Sequence, residues 1–358
     1  MRPATRWREP WSSTVANTPD RPLRFAMVGA GFWARYQLAA WKEVPEAECV
    51  AVCDRMRERA ERLAMSLGVM RVYDDTARML EQERVDFVDI VTDPPSHPEL
   101  VRLVADHGIA VVCQKPLALS LEEAEALVDY CHSRGVRLIV HENWRWQVPI
   151  RALRRMLDGG VIGRPFYGEI RFCTSFPVFQ NQPYLRTLER FALADVGVHL
   201  LDVARFFFGE ADRLYCQTHR VDPDIRGEDV AIVVLRMNTT TVVCRMSFAS
   251  RLSEERFPQT FCTIEGDRGS LELGPDYWIR TTTAEGTWAR RFPPPSYPWV
   301  DPLYEVVQAS MVPCNAHILH ALRTGEPAET EAEDNLKTLR LVFAAYDSAS
   351  RGQVRSLP

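Results

Sequence analysis

Residues 23–34 read LRFAMVGAGFWA, an apolar run that ends in a glycine turn and continues into helical sequence. Gly29 and Gly31 permit the unusual dihedrals of a tight turn and a close backbone approach to a phosphate. Ala34, still small, stands where a third glycine is usual. The helix that follows offers free N–H groups to an anion. The segment therefore predicts the first strand, turn and helix of a dinucleotide-binding domain.

The same alternation of strand and helix continues to about residue 142. The strand candidates are near-continuous Val, Ile and Ala runs, as expected when helices cover both faces of a sheet. Further strands are predicted at 49–53, 86–91, 109–113 and 137–140, and helices at 32–42, 55–67, 98–107 and 121–133. This pattern predicts an α/β fold class, with a Rossmann domain built on a doubly wound parallel sheet over residues 21–142.

The pattern changes in the second part of the chain, residues 143–358. Adjacent apolar runs such as 230–235 and 240–243 indicate hairpins, so the second sheet should be large and mostly antiparallel. Strands are predicted at 165–174, 212–219, 229–237, 241–249, 259–265 and 270–274, and helices at 150–157, 196–208, 304–322 and 332–350. We predict an α+β domain for substrate binding and oligomerisation, closed by C-terminal helices, and an N-terminal arm over residues 1–20.

Composition excludes several function classes. The 358 residues, 46% hydrophobic and 25% charged, suit about two ordinary globular domains. The net charge of -5 implies no broad basic surface for nucleic acid. No apolar stretch reaches the roughly 18 to 20 residues of a membrane helix, and the first twenty residues lack the apolar core of a secretory signal.

The nine cysteines are scattered through apolar runs and form no CxxC pair. This distribution favours buried free thiols in a reducing compartment over a metal site or a disulfide framework. The sequence thus predicts a cytoplasmic protein that binds no metal.

An acidic residue, Asp54, ends the second apolar run about twenty residues after the glycines. An acid at this position accepts both ribose hydroxyls and repels a 2′-phosphate, so we predict NAD as the cofactor in preference to NADP. The adjacent Arg55 would soften that preference. Asp54 also suits the N-cap of the following helix, and the two roles are compatible.

The loop TDPPSH, residues 92–97, follows the third predicted strand at the edge of the sheet where ligands bind. We predict that it faces the cofactor, the alternative being that Ser96 or His97 caps the next helix. The full predicted cofactor set is Gly29, Gly31, Phe32, Trp33, Asp54, Arg55, Thr92, Pro94, His97, Gln114 and Lys115.

Two segments carry candidate catalytic residues. Lys115 ends another strand at the same edge, where a lysine is often merely solvated, but desolvation beside a nicotinamide cation would lower its pKa usefully. In LADVGVHLLD, residues 193–202, Asp195 and His199 are four residues apart and share one helix face. A base must take the hydroxyl proton as hydride leaves, and a carboxylate can orient that base. The alternative is that Asp195 caps the helix and His199 packs in the core, while Gly197 suggests close approach of a ligand.

Two further segments supply candidate substrate contacts. The segment HENWRW, residues 141–146, lies at the domain junction, and Asn143 and Arg145 offer donors for a polyol, unless the segment merely packs the domains together. The segment QPYLR, residues 182–186, is a second predicted wall that includes Tyr184. The full predicted substrate set is Lys115, Asn143, Arg145, Tyr184, Asp195 and His199.

Taken together, GAGFWA at 29–34, Lys-Pro at 115–116 and D-x-G-x-H-x-x-D at 195–202 resemble the glucose–fructose oxidoreductase / inositol dehydrogenase / MocA-like (Gfo/Idh/MocA) family over about residues 21–350. The resemblance implies NAD(P)-dependent oxidation or reduction of sugars, polyols or cyclitols by a homodimer or homotetramer. Lys115 would be the central acid/base, His199 would bind or deprotonate the hydroxyl, and Asp195 would support Lys115 and substrate. Gln114 replaces the usual glutamate, which favours the neutral amine and leaves the base in place.

Within this family, HENWRW, QPYLR and DVGVHLLD together are similar to bacterial sugar dehydrogenases of the D-apiose type. That similarity implies oxidation of a furanose anomeric hydroxyl to a lactone. Two other classes share the fold, namely a non-catalytic cofactor-binding regulator and an NAD-dependent glycoside hydrolase. Net NADH formation would separate a dehydrogenase from a hydrolase, and cofactor binding without turnover would mark a regulator.

Overall fold

The computed structural model describes residues 21–180, 182–253 and 256–357, so the predicted N-terminal arm lies outside the described residues. Six parallel strands form the first sheet, in the order β3-β2-β1-β4-β5-β6. The strands are β1 (Leu23–Val28), β2 (Ala47–Cys53), β3 (Arg71–Tyr73), β4 (Phe87–Ile90), β5 (Ala110–Gln114) and β6 (Leu138–His141). The strand order reverses beside β1, which confirms the predicted Rossmann sheet and places the crevice for a ligand at this switch point.

Five helices connect these strands and cover both faces of the sheet. They are α1 (Phe32–Lys42), α2 (Arg57–Leu67), α3 (Thr76–Gln82), α4 (His97–Asp106) and α5 (Leu121–Ser133). Neither β3 nor α3 is predicted from the sequence, because three and seven residues are too few to establish a periodicity.

Nine strands form the second sheet, in the order β14-β13-β12-β11-β7-β10-β9-β8-β15. They are β7 (Pro165–Cys173), β8 (Ala211–His219), β9 (Val230–Met237), β10 (Thr240–Ser247), β11 (Phe261–Gly266), β12 (Gly269–Leu273), β13 (Trp278–Thr283), β14 (Gly286–Arg291) and β15 (Arg355–Ser356). Only β7 and β10 pair in parallel, so the sheet is mostly antiparallel, as predicted. The sequences of β13 and β14, WIRTTT and GTWARR, are rich in Thr and Arg, and this polar character hid them from a search for apolar alternation.

The second part of the chain also contains helices, some of which cover one face of this second sheet. The helical elements are α6 (Val148–Asp158), a π-helical turn (Leu193–Gly197), α7 (Val198–Phe208), α8 (Glu305–Ala309), α9 (Met311–Thr324) and α10 (Ala332–Arg351). Helices α7 and α10 pack on the sheet, and Leu200, Leu201 and Leu339 join Ile170 and Cys244 in one buried core. The opposite face of the sheet has no helix layer among the described residues.

Helix α9 returns to the first sheet. Its buried residues Cys314, Ile318 and Leu319 share a core with Phe25 and Trp41 of the Rossmann domain. The single helix predicted over 304–322 is divided at Ser310 into α8 and α9. The C-terminal part of the chain thus completes the N-terminal domain.

Within the described residues, no helix is long and apolar enough to cross a membrane. These residues include all nine cysteines, and each is a free thiol. The same part of the chain holds no group of three or more His, Cys, Asp or Glu residues arranged for a metal ion.

Candidate active site

The glycine turn between β1 and α1 has the shape of a phosphate cradle. Gly29 has φ +106°, and a Cβ atom there would lie 2.2 Å from the carbonyl oxygen of Val91, so only glycine fits. A Cβ on Gly31 would meet nothing within 4 Å. Because Gly31 immediately precedes α1, the free N–H groups of the first helical turn open onto this space. These features fit the pyrophosphate of NAD.

Asp54 ties the glycine turn to the start of α2. Its Oδ2 accepts a hydrogen bond of 2.8 Å from the N–H of Ala30, and its Oδ1 accepts one of 2.8 Å from Met56. The N-cap residue of α2 is Met56, and no side chain caps it, so the N-cap role predicted for Asp54 is wrong. Asp54 instead accepts from the N–H two residues further on, as in an Asx turn. The half-buried carboxylate stays at the end of β2, where the ribose role remains a prediction, and Arg55 is exposed beside it.

Four other predicted cofactor residues surround the same edge of the sheet. Phe32 is 38% exposed at the start of α1, next to the half-buried Trp33. Thr92 and Pro94 are half-buried in the loop after β4. This placement leaves all four near the crevice, and their contacts with NAD remain predictions.

Two predicted cofactor residues have buried side chains that contact other parts of the protein, and their contacts with NAD remain predictions. His97 is fully buried. Its Nε2 lies 3.0 Å from the carbonyl oxygen of Thr92, and its Nδ1 lies 3.0 Å from that of Pro116. The amide of Gln114 is also buried, with Nε2 donating to Gln37 Oε1 at 2.6 Å and Oε1 accepting from the N–H of Lys115 at 3.1 Å. Both side chains therefore hold the segments around the crevice in place through contacts inside the protein.

Lys115 and Asp195 meet across the two domains. Lys115 follows β5, and its Nζ donates to the Asp195 carbonyl oxygen at 2.9 Å and to Asp195 Oδ1 at 3.0 Å. Both side chains remain partly exposed, at 18% and 24%. The structure thus brings together two residues that are 80 positions apart in the sequence, at the edge where the crevice lies.

His199 lies one helical turn beyond Asp195, although the local geometry differs from the prediction. Asp195 lies in the π-helical turn and His199 in α7, where a single α-helix was expected. The imidazole of His199 stacks on Trp144, with ring centroids 4.4 Å apart and planes 1° apart. Burial, and secondarily the charge of Lys115, lowers the pKa of His199 well below its usual value, which favours the neutral form of the imidazole.

Another group approaches Gly197 closely, as the sequence suggested, and the groups in contact are protein side chains. A Cβ on Gly197 would lie 2.7 Å from Leu193 Cδ1 and 2.7 Å from Met246 Sδ. The glycine therefore lets the π-helical turn lie against β10.

Glu142 is a site residue that the sequence analysis missed. It follows β6 and is fully buried, and its Oε1 and Oε2 lie 2.6 Å and 2.8 Å from Nδ1 of His199. Burial raises the pKa of the Glu142 carboxyl to about 7, and the nearby positive charge of Lys115 opposes this shift. The sequence pattern that could have identified Glu142 is an acidic residue directly after a predicted strand, at the same edge of the sheet as Lys115.

Asn143 and Arg145 direct their donors at other residues of the protein, and the substrate contacts predicted for them remain predictions. Asn143 is buried, and its Nδ2 donates to Val307 O and Ser310 Oγ, both at 2.8 Å. Arg145 donates to both carboxylate oxygens of Asp202 at 2.6 Å and 2.7 Å and also contacts Asp334 and the carbonyl oxygen of Glu329. The junction segment therefore uses these donors to pack the domains together, which was the alternative interpretation.

Tyr184 lies beside the crevice. It is 49% exposed, and its hydroxyl donates to Gln182 Oε1 at 3.1 Å. Partial burial, together with the charges of Asp195 and Asp93, raises the pKa of its phenol. Tyr184 is thus close to both the catalytic segment and the cofactor loop, and substrate binding by it remains a prediction.

Comparison with known proteins agrees with this geometry. Residues 23–142 match the family described as "Oxidoreductase family, NAD-binding Rossmann fold", and residues 150–272 match the GFO/IDH/MocA C-terminal domain. The chain belongs to the Gfo/Idh/MocA family. It is 44% identical to a D-apiose dehydrogenase of Paraburkholderia graminis, over 96% of this chain and 92% of the relative. It is 40% identical to a D-apiose dehydrogenase of Rhizobium rhizogenes, over 92% and 96% respectively.

A solved structure of this family is similar throughout. An oxidoreductase from Agrobacterium radiobacter, in complex with NAD+, L-tartaric acid and magnesium, matches with a TM-score of 0.91 and 39% identity. The match covers 93% of this chain and 98% of that one. The chain is an NAD(P)-dependent sugar dehydrogenase with an NAD-binding Rossmann domain, as predicted, and these comparisons give no support to the regulator or the glycoside hydrolase.

Proposed function

We propose that this dehydrogenase oxidises the anomeric hydroxyl of a furanose sugar, D-apiose in particular, to a lactone. The observation that carries the proposal is the meeting of Lys115, Asp195 and His199 at the crevice edge of the Rossmann sheet. The choice of sugar is supported by the names of the two relatives at 44% and 40% identity.

The proposed chemistry needs a group that handles a proton beside the cofactor. When bound, NAD supplies the nicotinamide that accepts hydride from the sugar carbon. Lys115 gives two of its three N–H donor directions to Asp195, which leaves one direction for the reacting hydroxyl oxygen. Asp195 thereby orients Lys115, and the neutral imidazole of His199 is available to take a proton. Tyr184 forms a wall of the same site.

The proposed cofactor preference is NAD over NADP. It rests on Asp54, whose carboxylate lies at the end of β2 beside the glycine turn and would repel a 2′-phosphate. Its Oδ1 and Oδ2 each accept one backbone hydrogen bond and keep further lone pairs for ribose hydroxyls. The exposed Arg55 weakens this preference without reversing it.

We further propose that the chain works as a homodimer or homotetramer that associates through the uncovered face of the large sheet. Tyr215, Val234 and Val243 are directly opposite one another on β8, β9 and β10 and share that face. Val234 is 37% exposed, so association would bury an apolar patch.

Nine free thiols support a reducing compartment, and we propose the cytoplasm as the location of this protein.

The function is tested by following NADH formation with purified protein. NAD and NADP are each supplied with D-apiose and with panels of aldoses, other furanoses, polyols and inositols. The proposal requires the highest kcat/KM with D-apiose and NAD. Turnover confined to polyols or inositols would overturn the furanose assignment, and NAD binding without turnover of any sugar would contradict the proposed chemistry.

A further inference from the structure

A buried carboxylate stands directly behind the imidazole of His199. Both oxygens of Glu142 lie within 2.8 Å of Nδ1, and the side chain of Glu142 is fully shielded from solvent. Glu142 Oε1 also accepts a hydrogen bond of 3.2 Å from the main-chain N–H of Trp144. The carboxylate is therefore fixed at one end by the chain that follows β6 and directed at one nitrogen of His199.

The same short segment also fixes the plane of the imidazole. Trp144 stacks on His199 with parallel rings, and Trp144 is itself held by Phe172, whose ring centroid is 5.7 Å away. A partial rotation of the imidazole about its Cβ–Cγ bond would break the stacking on Trp144, and a half-turn, which keeps the ring plane, would exchange Nδ1 for a carbon atom and lose the contact with Glu142. Nδ1 thus stays on the carboxylate, while Nε2 has no hydrogen-bond partner among the described residues.

We propose that Glu142 is a positioning residue for the dehydrogenation, accepting the Nδ1–H of His199 so that the lone pair of Nε2 faces the reacting hydroxyl. This inference rests on the proposed function, which places the sugar beside Lys115 and His199. A neutral imidazole carries one proton, so the nitrogen that donates to Glu142 decides that the other nitrogen is an acceptor. Burial, which keeps His199 neutral, agrees with this assignment.

The proton step balances within these residues. The O–H bond of the sugar breaks, and a new N–H bond forms at Nε2 of His199. The electron pair of the O–H bond stays on oxygen and forms the carbonyl as the carbon gives up its hydride. The resulting imidazolium lies against the Glu142 carboxylate, which offsets the new charge in a site that solvent does not screen. Lys115 stabilises the developing negative charge on the oxygen through its remaining N–H.

The tautomer of His199 tests the structural half of the proposal without any turnover. The full chain is labelled with ¹⁵N-histidine, and ¹H–¹⁵N correlations through the ring carbons are recorded near neutral pH, with His199 assigned from the spectrum of His199→Gln. The proposal requires a protonated Nδ1 and a bare Nε2 in the unmodified protein. A spectrum with the proton on Nε2 would overturn it, whether or not the sugar has been identified.

Kinetics of Glu142→Gln test the functional half. The change keeps the shape of the side chain but removes the negative charge that would stabilise the imidazolium of His199. We therefore expect kcat with D-apiose and NAD to fall about 10²-fold or more. The KM for the sugar and the affinity for NAD should change little, because neither ligand is placed on Glu142. The matched control is Glu83→Gln, a buried carboxylate that binds Arg71 and Tyr73 of β3, at the opposite end of the sheet from β6 and Glu142.

The control separates a positioning role from a merely structural one. Glu83→Gln should lower the melting temperature but leave kcat unchanged. If Glu142→Gln lowers the melting temperature yet keeps its kcat, Glu142 is structural and the proposal is wrong. If the unmodified protein forms no NADH with D-apiose, the proposed function fails, while the tautomer spectrum still decides the role of Glu142.

Discussion

The Nζ atom of Lys115 lies 2.9 Å from the carbonyl oxygen and 3.0 Å from the Oδ1 of Asp195, so one side chain joins the end of β5 to the turn before α7. The first element belongs to the Rossmann sheet and the second to the helices that pack on the second sheet, and the contact fixes the distance between them at the crevice. Both partners keep part of their surface exposed, which leaves them accessible to a sugar.

Replacement of Lys115 by methionine should abolish turnover without preventing cofactor binding. The change removes the donor that faces the hydroxyl, and we expect kcat to fall by about 10²- to 10⁴-fold. The dissociation constant for NAD, measured by titration calorimetry, should change little because the pyrophosphate cradle lies at the glycine turn. Lys337→Met, on the exposed side of α10, is the control and should keep full activity. Retention of turnover in Lys115→Met would contradict the assignment.

Asp54→Asn should shift the cofactor preference toward NADP. The amide keeps an oxygen for one of the two backbone donors, but the negative charge that repels a 2′-phosphate is lost. We expect the ratio of kcat/KM for NAD to that for NADP to fall about tenfold or more. Asp75→Asn, which removes the charge from the N-cap of α3, should leave the ratio unchanged. An equal ratio in both variants would mean that Asp54 only holds the backbone of Ala30 and Met56.

Arg145→Met should destabilise the protein rather than weaken sugar binding. Asp202 is fully buried and would lose its bidentate partner, although Thr338 still donates to it at 3.0 Å and Arg205 lies 3.9 Å away. Removal of one partner of a buried ion pair costs about 3–5 kcal/mol of unfolding free energy. Urea unfolding measures this loss, and the double change Arg145→Met with Asp202→Asn should recover part of it. A large rise in the KM for the sugar at unchanged stability would contradict this prediction and would indicate that Arg145 binds the sugar.

Asp89→Asn should reveal a pH-dependent contribution to stability from the centre of the Rossmann domain. Asp89 on β4 is fully buried and accepts from Gln37 Nε2 at 2.8 Å and from Trp41 Nε1 at 2.7 Å. Burial raises its pKa to about 7. Near neutral pH the native state therefore binds a proton that the unfolded state has released. The stability that this bound proton contributes is lost as pH rises through about 7.

Urea unfolding of both proteins at about pH 5.5, 7 and 8.5 measures the effect of Asp89. Asparagine does not titrate, so the stability advantage of the unmodified protein over Asp89→Asn should shrink as the pH rises. Glu142 also titrates in this range but is present in both proteins, and its effect cancels. A difference that is constant with pH, or that grows, would contradict the raised pKa of Asp89.

Residues at the ends of strands were predictable from sequence because the sheet edge fixes where they lie. The glycine turn, Asp54 and Lys115 all follow apolar runs, and a parallel sheet brings such positions to one edge. Asp195 and His199 were predictable as a pair because residues four apart share a helix face. The π-helical turn between them was not, since it depends on the packing of Gly197 against Met246.

The direction of a polar side chain was not predictable where distant segments compete for it. Asn143 and Arg145 offer donors, but their partners Val307 and Asp334 come from helices more than 160 residues later. His97 has two backbone carbonyls as neighbours, one of them from the Lys-Pro loop. Glu142 was overlooked for the same reason. Its place in the site depends on a contact with His199 of α7, which is distant in the sequence.

The return of α9 to the first sheet has a consequence for biosynthesis. Cys314, Ile318 and Leu319 fill the core around Phe25 and Trp41, so a nascent chain that has emerged only to residue 142 has an incomplete apolar interior. The cofactor-binding half would have to wait for nearly the whole polypeptide before its packing is finished. Contacts of such long sequence separation slow folding, and the first residues out of the ribosome are thus among the last to become fully protected.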